Sequence, residues 1–179
     1  MGNWRRVLVG VAVLLVVVSA SADQRRTHDG DNKIALIDDC NPQDGNWAPV
    51  GCLQENGDVT AAEFNSLRFS PLSRSTVGHP SWRNDPSYVV VGEGKELRLE
   101  NQGGRPHTFT EVADFGGGRV PPLNQGLDVA PECVLAPGAV DPTLVPPGTR
   151  KRLTATGVGL HKFQCCFHPW MRAAIRVTE

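Results

Sequence analysis

The side chains best suited to chemistry in this chain of 179 residues fall in one C-terminal run, HKFQCCFHPWMRAAIRV, from His161 to Val177. Cys165, His168 and Met171 stand there at Cys-x2-His-x2-Met spacing, flanked by two short segments of period-2 alternation. A strand ending at Cys165, a tight turn through His168-Pro169 and a strand leaving through Ile175 and Val177 bring a thiolate, an imidazole and a thioether to one point. With one more histidine, that is the donor set of a trigonal His2Cys site with a weak axial Met, the kind that holds electron-transfer copper. The second imidazole has to come from a distant strand. His107, in GGRPHTFTEV, follows Leu97-Arg98-Leu99-Glu100-Asn101, an alternating run that reads as a strand.

At these residues the chain resembles the cupredoxins, the blue (type 1) copper proteins, in their plastocyanin-like branch. The family's C-terminal pattern, aromatic-x-Cys-x-x-His-Pro-x-Met-x-Gly/Ala-x-Ile/Val-x-Val, is matched by Phe163, Cys165, His168, Pro169, Met171, Ala173, Ile175 and Val177. Its upstream pattern, an Asn closing a strand with a His soon after, is matched by Asn101, Pro106 and His107. The resemblance spans residues 88–177. It implies an all-β, Greek-key sandwich holding one copper ion, Cu(I) or Cu(II), on His107, Cys165, His168 and Met171. It also implies Asn101 hydrogen-bonded near the thiolate, and an apolar patch of Phe167, Pro169 and Trp170 where redox partner proteins dock. Two departures stand out: Arg172 occupies the place of a small residue after the Met, and Cys166 adds a second thiol. Neighbouring residues of a regular strand face opposite ways, so Cys165 and Cys166 cannot both face the site.

The N-terminus reads as a secretory signal over residues 1–22. Arg5 and Arg6 supply the positive end, Val7 to Val18 the apolar run, and Ala20-Ser21-Ala22 the small-x-small cleavage pattern. The apolar run is shorter than the roughly 20 residues of a membrane span. A secreted or periplasmic protein without stable membrane insertion is therefore expected. Cleavage after Ala22 removes two of the 18 basic residues against 19 acidic ones, which leaves a mildly acidic chain. No Lys/Arg cluster is interleaved with aromatics, so nucleic acid is not an expected partner, and a monomer is expected. Export also suits the cysteines. Five is an odd number and calls for one free or metal-bound thiol. If that thiol is Cys165, then Cys40, Cys52, Cys133 and Cys166 remain. Of their three possible connectivities, Cys40–Cys52 with Cys133–Cys166 closes one small loop and ties a long central loop to the ligand strand.

At 40% hydrophobic and 21% charged residues the chain suits one sizeable core. The expected division is the signal over 1–22, an irregular N-terminal extension packing on the sandwich over 23–85, and the β-domain over 86–179. His28 falls in a polar leader and reads as solvated. Residues 34–53 alternate weakly among Asn-Pro, Asp-Gly and Ala-Pro turn signals, so loops and a short strand are expected there. Asn56 to Glu63 looks like half of a calcium loop, but that register puts Cys52 and Gln54 where the cation needs carboxylates. A short helix capped by Asp58 or Thr60, with Ala61, Ala62, Phe64 and Leu67 on its apolar side, fits better. His79 precedes a proline in an irregular crossing. Strands are expected at Tyr88–Val91, Lys95–Asn101 and His107–Val112, the last with His107, Phe109 and Glu111 on one face. A Pro/Gly-rich loop over 114–148 follows, then Arg150–Thr156 and the ligand strand. His161 shares a face with Cys165 but lies about 13 Å away along an extended strand, so it reads as a core or rim residue.

Copper enzymes built on such sandwiches need further ligands, such as His-x-His pairs or a His-Cys-His run, and none of the five histidines is so spaced. The expectation is a non-enzymatic one-electron carrier. A copper storage or delivery protein and a metal-free sandwich acting as a binding module are the alternatives.

Overall fold

The computed structural model describes residues 32–47, 52, 57–69, 78–79 and 82–179. The signal segment, the leader with His28, and Gln54 and Asn56 of the calcium-like run lie outside them. In chain order the strands are β1 (Lys33–Asp38), β2 (Trp82–Asp85), β3 (Tyr88–Gly92), β4 (Glu96–Asn101), β5 (His107–Thr108), β6 (Thr110–Val112), β7 (Leu144–Val145), β8 (Arg150–Thr154), β9 (Gly159–Gln164) and β10 (Arg172–Thr178). Among the described residues one α-helix, α1 (Ala61–Phe69), joins them. Two four-stranded sheets run β2-β1-β4-β8 and β3-β10-β9-β6, and β5 pairs with β7 apart from both. Both large sheets are mixed, because β1 is parallel to β4 and β3 is parallel to β10.

Period-2 patterning explains why these sheets face each other. Ile34, Leu36, Leu97 and Leu99 from the first sheet and Val91, Phe163, Ala173, Ile175 and Val177 from the second are buried in one continuous core. The same period carries a polar group inward. Asp38 stands in register with Ile34 and Leu36 on β1 and is 1% exposed.

Two expectations need correction. The sequence predicts an irregular extension over 23–85 with a short strand within 34–53, yet β1 and β2 together form half of the first sheet. The alternation of β1 is only six residues long, and the polar letters of Trp-Arg-Asn-Asp hide β2, whose pairing with β1 is a backbone ladder. The strand expected over His107–Val112 is broken at Phe109. His107 and Thr108 pair with Val145 and Leu144, whereas Thr110 to Val112 pair with β9. Because the chain changes partner there, His107 and Phe109 are buried while Glu111 is exposed. The Phe109 ring fills the crossing by stacking on Phe163 at 4.5 Å.

A reciprocal cap starts α1. The Thr60 N–H donates to Glu63 Oε2 at 2.8 Å, and the Glu63 N–H donates to Thr60 Oγ1 at 3.2 Å. The helix thereby brings Phe64 against Trp47 and Trp82, at 5.4 and 4.7 Å between ring centroids. The chain between β6 and β7 is stitched to the second sheet. Gln164 Oε1 accepts from the Gly116 N–H at 3.0 Å, and the Arg119 N–H donates to the Cys166 carbonyl at 2.7 Å. A β-carbon at Gly118 would lie 2.2 Å from that same carbonyl oxygen, so this approach requires glycine. Cys133–Cys166 and Cys40–Cys52 are disulfides, and Cys165 is free and buried.

On the first sheet's outer face, Glu100 pairs with Lys33 and with Arg150, the latter at 3.0 Å. Hydrogen bonds from Lys33 and then Arg150 hold its carboxyl down to about 2. A depressed carboxylate contributes stability above its unfolded pKa that is lost as pH falls through the folded value. The Glu100→Gln protein should therefore melt slightly below the wild type at pH 6, the difference closing as pH approaches 2. Parallel melting curves at both pH values check this, and an unchanged gap at pH 2 would count against it.

Candidate metal centre

Three backbone devices converge on one buried point. Cys165 directly follows β9, and its N–H donates to the Met171 carbonyl at 2.9 Å. The Met171 N–H donates to the His168 carbonyl at 2.8 Å, which closes the turn that carries His168. His107 opens β5 after a turn braced by Asn101, whose amide nitrogen donates to the carbonyls of Arg105 at 2.7 Å and Val145 at 2.8 Å, while its oxygen accepts from the Gly103 N–H at 2.9 Å. The expected contact of Asn101 near the sulfur is thus replaced by a structural one. Both amide hydrogens are taken by carbonyls, and the donor to Cys165 Sγ is the Thr108 N–H at 3.4 Å.

His107 Nδ1 and His168 Nδ1 each lie 3.7 Å from Cys165 Sγ and 3.2 Å from each other. A point equidistant from the corners of that triangle lies about 2.1 Å from each, within the reach of metal–nitrogen and metal–sulfur bonds. His107 and Cys165 are wholly buried and His168 is 8% exposed. This His/Cys/His cluster can coordinate a metal ion, and it is the one such group among the described residues. The Met171 side chain is fully buried in the same core.

Behind the cluster stands Asp38. Its Oδ2 accepts from His107 Nε2 at 2.9 Å and from the Arg105 N–H at 2.9 Å, and its Oδ1 accepts from the Gly104 N–H at 2.7 Å. Burial disfavours charge on His107, but the Asp38 carboxylate and the Cys165 sulfur outweigh it and push the ring up to about 9. Burial likewise resists ionisation of Cys165, and the two imidazoles outweigh it, so the thiol is held well below its ordinary value. For His168 burial prevails and the ring is pushed down. The shifts favour an anionic sulfur and a neutral His168 ring, and the His107 ring is paired to a carboxylate.

The remaining sequence candidates sort clearly. His161 is bound at 2.6 Å to Glu111 and at 2.6 Å to the Gly157 carbonyl, away from the cluster. His79 bridges to Trp82 through the backbone. Cys166 turns from the site into its disulfide, while its N–H donates to Thr108 Oγ1 at 2.7 Å. Glu63 caps α1 and Cys52 is oxidised, so neither serves a calcium loop. The apolar patch also differs from expectation, since Pro169 and Trp170 are buried and Phe167 is half-buried. The exposed edge of His168 opens instead into a recess lined by Phe64, Trp82, Arg105, Val120, Pro122 and Leu123. Arg172, out of pattern after the Met, is fully buried; its Nε donates to the Pro169 carbonyl at 2.7 Å and its guanidinium lies 4.9 Å from the Phe115 ring. It ties down the turn bearing His168. Burial lowers its pKa to about 10, so it stays charged at neutral pH.

Sequence reasoning missed Asp38, Thr108 and Trp82. Asp38 had a signal, because period 2 from Ile34 and Leu36 points a carboxylate into the core. Thr108 reaches the sulfur through its backbone N–H, which any residue but proline offers, and had none.

No protein-family model matches the chain, and no curated protein matches it. Among solved structures, a purple cupredoxin from Nitrosopumilus maritimus is 16% identical, over 83% of this chain and 100% of that one, at a TM-score of 0.41. A reduced amicyanin variant is 20% identical over 57% of this chain and 79% of that one, at a TM-score of 0.37. A Cu(I) amicyanin variant is 19% identical over 54% and 73%, at 0.36. The two mixed sheets and the His/Cys/His cluster are consistent with a cupredoxin-like sandwich.

Proposed function

We propose that the chain is an exported, monomeric, mononuclear type 1 copper protein that carries single electrons between redox partner proteins. The observation that carries this reading is the buried triangle of one sulfur and two imidazole nitrogens at 3.7, 3.7 and 3.2 Å. Thiolate suits soft Cu(I) and imidazole suits Cu(II), so one donor set is acceptable to both states. His107, Cys165 and His168 would hold the ion, and Met171 would supply a weaker sulfur donor. Bound there, copper supplies a one-electron couple. The protein's own groups do the rest: Asp38 orients His107, the Thr108 N–H supports the sulfur, and the His168 edge faces the recess where a partner docks. Burial of the donors favours this carrier over a storage or delivery protein, whose cargo must exchange readily. Export draws support from the signal-like N-terminus and from two disulfides, which persist in oxidising compartments.

Copper titration of the chain from residue 23 onward tests the proposal. The expected result is one copper per chain and an intense absorption toward the red end of the visible spectrum, both lost in Cys165→Ser. A chain that binds copper without that band, or equally well after Cys165→Ser, would overturn it.

A further inference from the structure

We propose that Asp38 is a positioning residue that acts through His107 to set how strongly the site prefers the oxidised over the reduced metal; this rests on the copper reading above. The carboxylate is built in. It lies 1% exposed on the inward face of β1 and reaches His107 Nε2 at 2.9 Å. The backbone N–H groups of Gly104 and Arg105 donate to its two oxygens at 2.7 and 2.9 Å. The chain curls so tightly around it that a β-carbon at Gly103 would lie 2.5 Å from Asp38 Cγ. A buried charge without such donors is costly, and this cradle has the form that an ionised carboxylate requires.

Two consequences follow for the ring. Donation from Nε2 leaves Nδ1 as the ring nitrogen that faces Cys165 and His168, free to offer its lone pair to a bound ion. A neutral acceptor would achieve that much. The carboxylate adds a negative charge directly behind the ring, which makes Nδ1 a stronger donor and attracts a divalent ion more than a monovalent one. Arg105, half-buried over the Trp47 ring at 5.9 Å, interacts electrostatically with the same carboxylate and offsets part of its field. The site should thus hold the oxidised ion more tightly than its donors alone would.

The test is the reduction potential of the copper-loaded chain and of Asp38→Asn, which keeps an acceptor of similar shape and removes the charge. At least a tenfold loss of preference for Cu(II) is expected, a rise of about 59 mV or more for a one-electron couple, with the red absorption retained. A retained band with an unchanged or lower potential would overturn the role of Asp38 and leave the copper reading standing. Absence of the band from the unsubstituted chain would instead remove the copper reading, and this inference with it. Should Asp38→Asn fail to fold, His107→Gly filled with imidazole or with 1-methylimidazole keeps Asp38 in place. Only imidazole offers the N–H that Asp38 accepts, so the 1-methylimidazole form should show the higher potential, and equal potentials would refute the proposal.

Discussion

Removing the Cys133–Cys166 disulfide by the Cys133→Ser, Cys166→Ser double substitution is expected to lower unfolding stability by roughly 3–4 kcal/mol, the chain-entropy value for a loop of this size. The crosslink spans 33 residues, against 12 for Cys40–Cys52. Loop-closure entropy grows with span, so the matching Cys40→Ser, Cys52→Ser protein should lose less. Position adds to the difference. Cys133 and Cys166 are fully buried with Val112 and Ala130, and two serine hydroxyls would replace sulfur in that apolar cluster. The effect reaches the site because Cys166 follows Cys165 directly and its N–H donates to Thr108 Oγ1, while the Thr108 N–H donates to Cys165 Sγ at 3.4 Å. Urea unfolding of both double variants measures the losses. Equal losses, or a larger one for the Cys40–Cys52 pair, would show that loop size and burial are not what this crosslink contributes.

The vicinal cysteines show what the sequence could disclose. On a regular strand Cys165 and Cys166 face opposite ways, and the odd number of cysteines leaves one thiol over, so local rules divide a free thiol from a crosslink without saying which of the two takes which role. The same rules place Leu97 and Leu99, or Ile175 and Val177, on an inner face. They fail where a residue's role depends on a partner remote in the chain. Asp38 meets His107 only because β1 is inserted, parallel, beside β4, and no local pattern specifies that pairing. Phe109 breaks a ladder because its neighbours bond to two different strands. The recess beside His168 combines α1, β2, the turn at Arg105 and the turn at Val120, four segments that the run around His168 cannot announce.

Trp82 is the clearest case of such a remote dependence, and Trp82→Ala is expected to cost about 3–5 kcal/mol, the range for deleting a large buried ring. The ring is 1% exposed, and its Nε1–H donates to the Asp39 carbonyl at 3.0 Å. It meets Phe64 at 4.7 Å, Trp170 at 6.4 Å and, nearly edge-on at 67°, His168 at 4.8 Å. The bond to Asp39 fixes the residue next to Asp38, so one side chain supports both imidazoles of the cluster, His168 by direct contact and His107 through β1. Trp82→Phe separates the two contributions. It keeps an aromatic face and gives up the bond to Asp39, for which a loss of about 1 kcal/mol is expected from the hydrogen bond itself, with the smaller ring adding to it. If the ring's main service is to His168, the copper-loaded Phe variant should keep the visible band while the Ala variant broadens or loses it, even at temperatures where both remain folded by circular dichroism. An Ala variant with wild-type stability and an unaltered band would mean that the turn from Cys165 to Met171, held by its own backbone bonds and by Arg172, keeps His168 in place without Trp82.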